Sequence, residues 1–201
     1  MDDDVLINGT AITRLFEIRR DFDLWVLQPA FRLGGKISWD VTRVRPTAKL
    51  RYTNFVEMTC PLFRRDKLDE FMAVYDPELS GYGVDWWFLQ TIGGHDEKRV
   101  AVVDEVTCVN PFDRSKGGIR EIDRLQPKVE RQRVWGRIKT RYGLGEQGRQ
   151  HKELGRVERS TFGAVAGVLR YAADWTFLRA RMLAARLVRA VAPALGANKS
   201  A

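Results

Sequence analysis

Apolar residues change their spacing several times along this chain, and each change predicts an element. Ile12, Leu15, Phe16 and Phe22 fall near the three-and-four spacing of one helix face, behind Asn8 and Thr10, either of which can cap the first turn. That helix is expected to end around Asp21 to Asp23. Leu24-Trp25-Val26-Leu27 is a short apolar run closed by Gln28-Pro29, which predicts a strand stopping at the proline. Gly34-Gly35 supplies a turn, and the alternation from Ile37 to Arg45 predicts a second strand. Tyr52 to Phe63 predicts a third, punctuated by Pro61. Asp66 is placed to cap a helix carrying Leu68, Phe71, Met72 and Tyr75, with Pro77 beyond it. Ser80 to Gly83 reads as a glycine-rich turn running into a short apolar helix that contains Asp85, Trp86, Trp87 and Phe88 and stops at Gly93-Gly94. Arg99 to Val109 is the clearest strand, with Val100, Val102 and Val103 ahead of Asp104.

Mixed strands and helices of these lengths predict an α/β fold ending near Phe112. Beyond it the chain becomes arginine-rich with scattered glycines, as in Lys116-Gly117-Gly118 and Gly143-Leu144-Gly145. A final helix is expected over residues 161–192. At about 100° per residue, Phe162, Val165, Leu169, Ala173, Leu183, Leu187 and Val191 share one arc, and Arg170, Arg179, Arg181, Arg186 and Arg189 occupy the other side. Trp175 and Met182 lie among the arginines. The expected organisation is a domain over 1–112 and a basic, partly helical appendage over 113–201, with no internal repeat.

With 201 residues, 44% of them hydrophobic, the chain can bury one real core. Its net charge of +8 is uneven: residues 1–112 hold 14 Lys+Arg against 18 Asp+Glu, a net −4, and residues 113–201 hold 20 against 8, a net +12. Such a basic appendage suits an anionic surface. The helix's apolar arc needs burial and is expected first to pack on its own domain; with no recognised nucleic-acid reading motif present, the alternative surface is a membrane rather than nucleic acid. No run approaches the eighteen or so apolar residues of a spanning helix, and no basic segment precedes an apolar one at the N-terminus. The expected location is the cytoplasm, with the option of peripheral attachment to the inner face of a membrane. Cys60 and Cys108 stand alone in apolar contexts, which predicts two buried thiols rather than a disulfide or zinc framework.

Several residues could carry chemistry. Asp2, Asp3 and Asp4 form an acidic triplet; in an extended chain Asp2 and Asp4 point to the same side, as a pair of hard oxygen ligands would. The alternative is a solvated acidic terminus. Glu57 lies among apolar neighbours, where a lone carboxylate needs a partner or a function, and a buried salt bridge to an arginine would serve equally. Asp85 follows two glycines at a helix start, where it reads as an N-cap. Trp86 and Trp87 point in different directions on a helix, so at least one is expected to be core. His95 and His151 sit in polar and basic segments and are expected to be solvated.

The run Thr53-Asn54-Phe55-Val56-Glu57-Met58-Thr59-Cys60-Pro61-Leu62-Phe63, then Gly81-Tyr82-Gly83-Val84-Asp85 and Val100-Ala101-Val102-Val103-Asp104, resembles in order and spacing an uncharacterised glycosyltransferase-like family of bacteria and plants. Some plant members of that family are labelled as related to lysine-ketoglutarate reductase trans-splicing proteins. Asp2-Asp3-Asp4 looks like its acidic triplet and Leu27-Gln28-Pro29-Ala30 like its Gln-Pro-Ala segment, so the resemblance spans Asp2 to Phe112. It implies the C-terminal half of a GT-A-type mixed sheet with flanking helices. It also implies a nucleotide-sugar donor bound through Asp2, Asp3 and Asp4, Mn²⁺ or Mg²⁺ held by Asp2 and Asp4, and a glycan-type acceptor. Asp85 would be the catalytic base, with Glu57 binding acceptor hydroxyls or acting as the base instead.

Two departures from the family pattern change the expectation. The nucleotide-binding βαβ half should precede the acidic triplet, where this chain has only Met1, so a truncated protein completed by a missing half or a partner chain is expected. A histidine near the end of the strand after Val103, a third metal ligand in many relatives, is replaced by the region of Asn110, whose amide oxygen is a poorer ligand. The alternative to a truncated transferase is a non-catalytic remnant or interaction module, membrane-peripheral through its basic helix.

Overall fold

The most apolar run of the chain, Val100–Cys108, forms strand β4 in the middle of a five-stranded mixed sheet. Parallel to it lies β1 (Val26–Phe31), which carries the short antiparallel β3 (Leu62–Phe63) on its far side. On the other flank, β2 (Ala48–Thr53) and β5 (Glu153–Glu158) run antiparallel to their neighbours, giving the order β3-β1-β4-β2-β5. The molecule is known from a computed structural model that describes residues 4–78, 81–94, 96–112, 121–145 and 151–196, without the side chains of 121 and 186–196.

Alternation along the strands divides the core in two. Val100 and Val102 join Val26 and Ala30 on one face, while Ala101 and Val103 join Leu27 and Leu50 on the other. Helix α1 (Gly9–Asp21) covers the second face through Leu15 and Ile18. The first face is covered by α2 (Arg65–Met72), α3 (Val84–Ile92) and α5 (Lys128–Tyr142), which contribute Phe71, Trp87 and Trp135. Because both faces are covered, β4 has no polar alternation in its first half, as expected of a strand buried on both sides. A five-residue helix α4 (Glu121–Leu125) precedes α5, and the 36-residue α6 (Thr161–Gly196) closes the chain.

The α/β class is as the hydrophobic pattern predicts, with corrections to several elements. Asn8 is the cap of α1, accepting a hydrogen bond from the Ala11 N–H at 2.7 Å, and the buried side of that helix is Leu15 and Ile18, leaving Phe16 exposed. Strand β1 does not stop at Pro29 but continues to Phe31, because the register with β4 shifts between Pro29 and Ala30 and a proline is tolerated at such a bulge. Ile37 to Arg45 is no strand: Asp40–Thr42 forms a single 3₁₀ turn closed by Thr42 N–H and hydroxyl bonds to the Trp39 carbonyl. The expected strand from Tyr52 to Phe63 is two strands joined by the buried segment Phe55-Val56-Glu57. Helix α2 is entered at Arg64, whose guanidinium pairs with Asp66 at 2.7 and 2.8 Å, so Asp66 is a first-turn acid rather than the cap. The segment expected to be a basic appendage supplies α5 to the core and β5 to the sheet.

One buried ion pair crosses the sheet. Arg51 on β2 and Asp104 on β4 are 1% and 0% exposed and form a two-pronged pair, with Nε to Oδ2 at 2.8 Å and Nη2 to Oδ1 at 3.1 Å. Two further guanidinium protons go to the Val41 and Arg43 carbonyls at 2.9 and 2.8 Å, and the Arg45 N–H donates to Asp104 at 2.6 Å. This satisfied network fixes the turn over Asp40–Thr42 against the sheet, and with it the position of Thr42.

Candidate functional site

The site is assembled from four separate stretches of chain. Gln28 on β1 is fully buried, and its side-chain carbonyl accepts the backbone N–H of Glu57, tying the loop after β2 to the sheet. Glu57 is itself only 5% exposed. One of its carboxyl oxygens lies 2.8 Å from the Thr42 hydroxyl and the other 3.5 Å from that of Thr59. Burial pushes its pKa up from the ordinary 4.5 to about 7; the Thr42 bond and Lys36 act in the opposite direction, and the charge of Asp85 adds to the rise. Among the described residues Glu57 forms no salt bridge to an arginine, the bland alternative, and its side-chain hydrogen-bond partners are threonines.

Asp85 stands in the first turn of α3 and keeps partial solvent access. It is placed there by Gly83, whose φ of 82° an L side chain rarely adopts and where a Cβ would sit 2.5 Å from the Trp135 ring. Asp85 is thus not the cap, which is Gly83, and its carboxyl accepts the Trp86 N–H at 3.0 Å. Burial raises its pKa from 3.8 to about 6, against the lowering effect of the backbone N–H groups of the helix start. The sequence candidates Glu57 and Asp85 therefore come together within electrostatic reach, both poised near neutrality, as is typical of functional carboxyls.

An aromatic cluster adjoins the pair, exposed at Trp39 and buried at Phe55 and Trp86. Trp39 and Trp86 both pack against Phe55, with ring centres 5.7 and 5.4 Å apart. Into this group comes His151, whose ring centre is 3.9 Å from Phe55, 4.5 Å from Trp39 and 5.2 Å from Trp86, nearly parallel to the last. Burial lowers its pKa, favouring the neutral ring, and its Nδ1 has no hydrogen-bond partner among the described residues. His151 is thus a half-buried member of the site and not a solvated residue of the appendage. Both tryptophans belong to the core, Trp87 against Phe71 and Tyr142 and Trp86 against Phe55 and His151. His95 lies outside the described residues.

Of the acidic triplet, Asp2 and Asp3 lie outside the described residues. Asp4 lies just ahead of Leu6, which exchanges backbone hydrogen bonds of 2.9 and 3.1 Å with Val109. That bridge brings the N-terminal segment alongside the end of β4, next to Asn110. Asn110 is buried, and its backbone carbonyl accepts the Lys36 N–H at 2.7 Å, an approach possible because Gly35 has no Cβ, which would lie 2.4 Å from that oxygen. Among the described residues no three His, Cys, Asp or Glu side chains converge as metal ligands.

Sequence reasoning missed Gln28, Thr42, Trp39, Phe55 and His151 as site members. Pro29 marks Gln28 as unusual within an apolar run, but nothing local signals that residue 151 folds back on residues 39, 55 and 86. Two neighbouring carboxyls with raised pKa values beside an aromatic surface can exchange protons with a hydroxyl-bearing ligand and hold its ring. No family model, curated protein or solved structure matches this chain, so the function must be inferred from the Glu57–Asp85 site and its aromatic wall.

Proposed function

We propose that this chain is a glycosyltransferase-like protein that uses Asp85 as the base for an acceptor hydroxyl while a sugar is transferred from a nucleotide-sugar donor to a glycan-type acceptor. The observation that carries this proposal is the convergence of Glu57 and Asp85, both shifted toward neutrality by burial, beside Trp39, Phe55 and Trp86. With a pKa of about 6, Asp85 is ionised at pH 7 and can take the acceptor proton as the acceptor oxygen bonds to the anomeric carbon and the diphosphate leaves. Glu57, at about 7, holds a proton part of the time and can hydrogen-bond a neighbouring acceptor hydroxyl as donor or acceptor. Trp39, the exposed member of the aromatic wall, offers a face for the sugar ring. The sheet, with β1 and β4 parallel and antiparallel strands outside them, is compatible with the C-terminal half of a GT-A-type sheet.

The expected ligands Asp2 and Asp4 are carboxylates and Asn110 offers an amide oxygen, the ligand chemistry that Mn²⁺ or Mg²⁺ prefers, with Asp2 outside the described residues. The backbone bridge between Leu6 and Val109 supports a grouping of Asp4 with Asn110. When bound, such an ion supplies charge neutralisation at the donor diphosphate.

The test is calorimetry with a panel of nucleotide sugars and Mn²⁺, followed by transfer assays on oligosaccharide acceptors. Asp85→Asn should keep donor binding and lose transfer by about 100-fold or more. No binding of any nucleotide sugar and no transfer by the wild type would overturn the proposal. One observation favours an alternative, a sugar-independent interaction module: His151 already covers the aromatic wall. His151→Ala should strengthen oligosaccharide binding by a transferase and leave an interaction module indifferent to sugars.

A further inference from the structure

Helix α6 meets the rest of the molecule along one side. Gly167 is buried, and Gly163, Ala164, Tyr171, Asp174 and Leu178, spaced three and four apart around it, are partly covered. Two contacts fix this side inward: Asp174 forms a two-pronged pair with Arg32, one prong being Nε to Oδ2 at 2.9 Å, and Gly167 sits so close to the Pro46 carbonyl that a Cβ would lie 2.1 Å from its oxygen. The opposite side is apolar and faces water. Phe162, Val165, Leu169 and Leu183 are 86, 55, 66 and 58% exposed, and small residues fill the stripe between them without a single charge. The expectation that this apolar arc packs on its own domain is therefore reversed: the domain takes the side bearing Asp174.

At about 100° per residue, Arg170 and Arg181 border the stripe on one edge and Arg179 on the other, where Arg179 lies 3.9 Å over the Trp175 ring. The whole helix carries five arginines and one aspartate, and that aspartate is already held by Arg32. This charge pattern selects the occupant. A second copy laid along the stripe would set arginine against arginine with no free acid to offset them. A nucleic acid would take the arginines and leave Phe162, Leu169 and Leu183 in water. An anionic bilayer satisfies both features, since the apolar side enters the acyl boundary while bordering arginines reach lipid phosphates. No helix among the described residues is long and apolar enough to cross a membrane, so α6 would lie in the interfacial plane.

We propose that α6 docks this protein on the surface of an anionic membrane through the stripe of Phe162, Val165, Leu169 and Leu183. This stands apart from the transferase proposal and does not depend on it. The test is flotation of the full chain with vesicles of phosphatidylglycerol and phosphatidylcholine, and with phosphatidylcholine alone. The wild type should float with the anionic vesicles and at least about tenfold less with neutral ones, as expected where arginines and an apolar face act together. Leu169→Glu with Leu183→Glu, both on exposed positions, should keep the wild-type thermal melt and lose about tenfold or more of the flotation. Arg179→Gln with Arg181→Gln should weaken flotation on anionic vesicles alone. A wild type that does not float, variants that float equally, or a lipid-free dimer abolished by the double leucine variant would each overturn the proposal.

Discussion

The Thr42 hydroxyl lies 2.8 Å from Oε1 of Glu57 and also 2.8 Å from the Trp39 carbonyl oxygen. One hydroxyl proton serves two acceptors: donated to Glu57 it favours the carboxylate, and sharing it with the Trp39 carbonyl weakens that effect. Burial therefore outweighs the Thr42 bond and raises the pKa of this carboxyl to about 7.

Glu57 should make stability fall as pH rises. Its folded pKa of about 7 exceeds the ordinary 4.5, so between those values the folded chain binds more protons than the unfolded one and loses stability with increasing pH. Glu57→Gln should raise stability at pH 8 by roughly 2–3 kcal/mol and change it little at pH 4. Thermal melts of both proteins across this range check the sign. A gain at pH 4 that equals the gain at pH 8 would contradict the assigned titration.

Breaking the Arg51–Asp104 pair from one side should cost far more than its surface counterparts. Arg51→Met leaves a fully buried carboxylate with the Arg45 N–H as its hydrogen-bond donor and Arg159 as its nearby charge, and should destabilise by about 3–5 kcal/mol. Replacing both residues with apolar ones should recover part of that loss. Urea unfolding of the two variants measures the difference, whereas Arg65→Ala, in an exposed pair with Asp69, should stay within about 1 kcal/mol of wild type.

Gly83→Ala should disturb the site through its scaffold. The residue has a φ of 82°, and the added Cβ would meet the Trp135 ring at 2.5 Å. The combined strain and overlap should cost about 2 kcal/mol or more and shift the start of α3, which carries Asp85. A lowered urea midpoint together with altered aromatic circular dichroism is the expected pair of readouts.

Cys60 and Cys108 should resist labelling in the native protein. Both are buried free thiols, and a hydrogen bond with Cys108, followed by burial, raises the pKa of Cys60 and suppresses its thiolate. Maleimide should react with neither until denaturant is added. Rapid native labelling of either would mean that the edge built from Val5, Phe31 and these two cysteines opens readily.

Local chemistry made much of the framework legible. Asn8 announces α1, the glycines at 93 and 94 end α3 with positive φ, and the valines of β4 identify a strand buried on two faces. Misreadings came where local signals were weak or competed with distant partners. Ile37 to Arg45 alternates, yet the buried Arg51 draws the Val41 and Arg43 carbonyls to itself, so that segment turns instead of pairing as a strand. Helix α5 and strand β5 are rich in charge, and only their packing on Gly83 and pairing with β2 give those segments an apolar or ladder-bonded side.

By itself the sequence determined which residues share a face, because backbone geometry repeats every two residues in a strand and every 3.6 in a helix. That was enough to draw the charge-free stripe of α6, whereas Glu57 was marked by its apolar neighbours and Asp85 by the family resemblance. Only the tertiary structure decided which of those faces meets protein and which meets water. Burial beneath Gln28, Thr42 and the aromatic wall shifts the two carboxyls, and anchors from Arg32 and Pro46 turn the stripe outward. Both outcomes depend on contacts between residues far apart in the chain, and no local period encodes them.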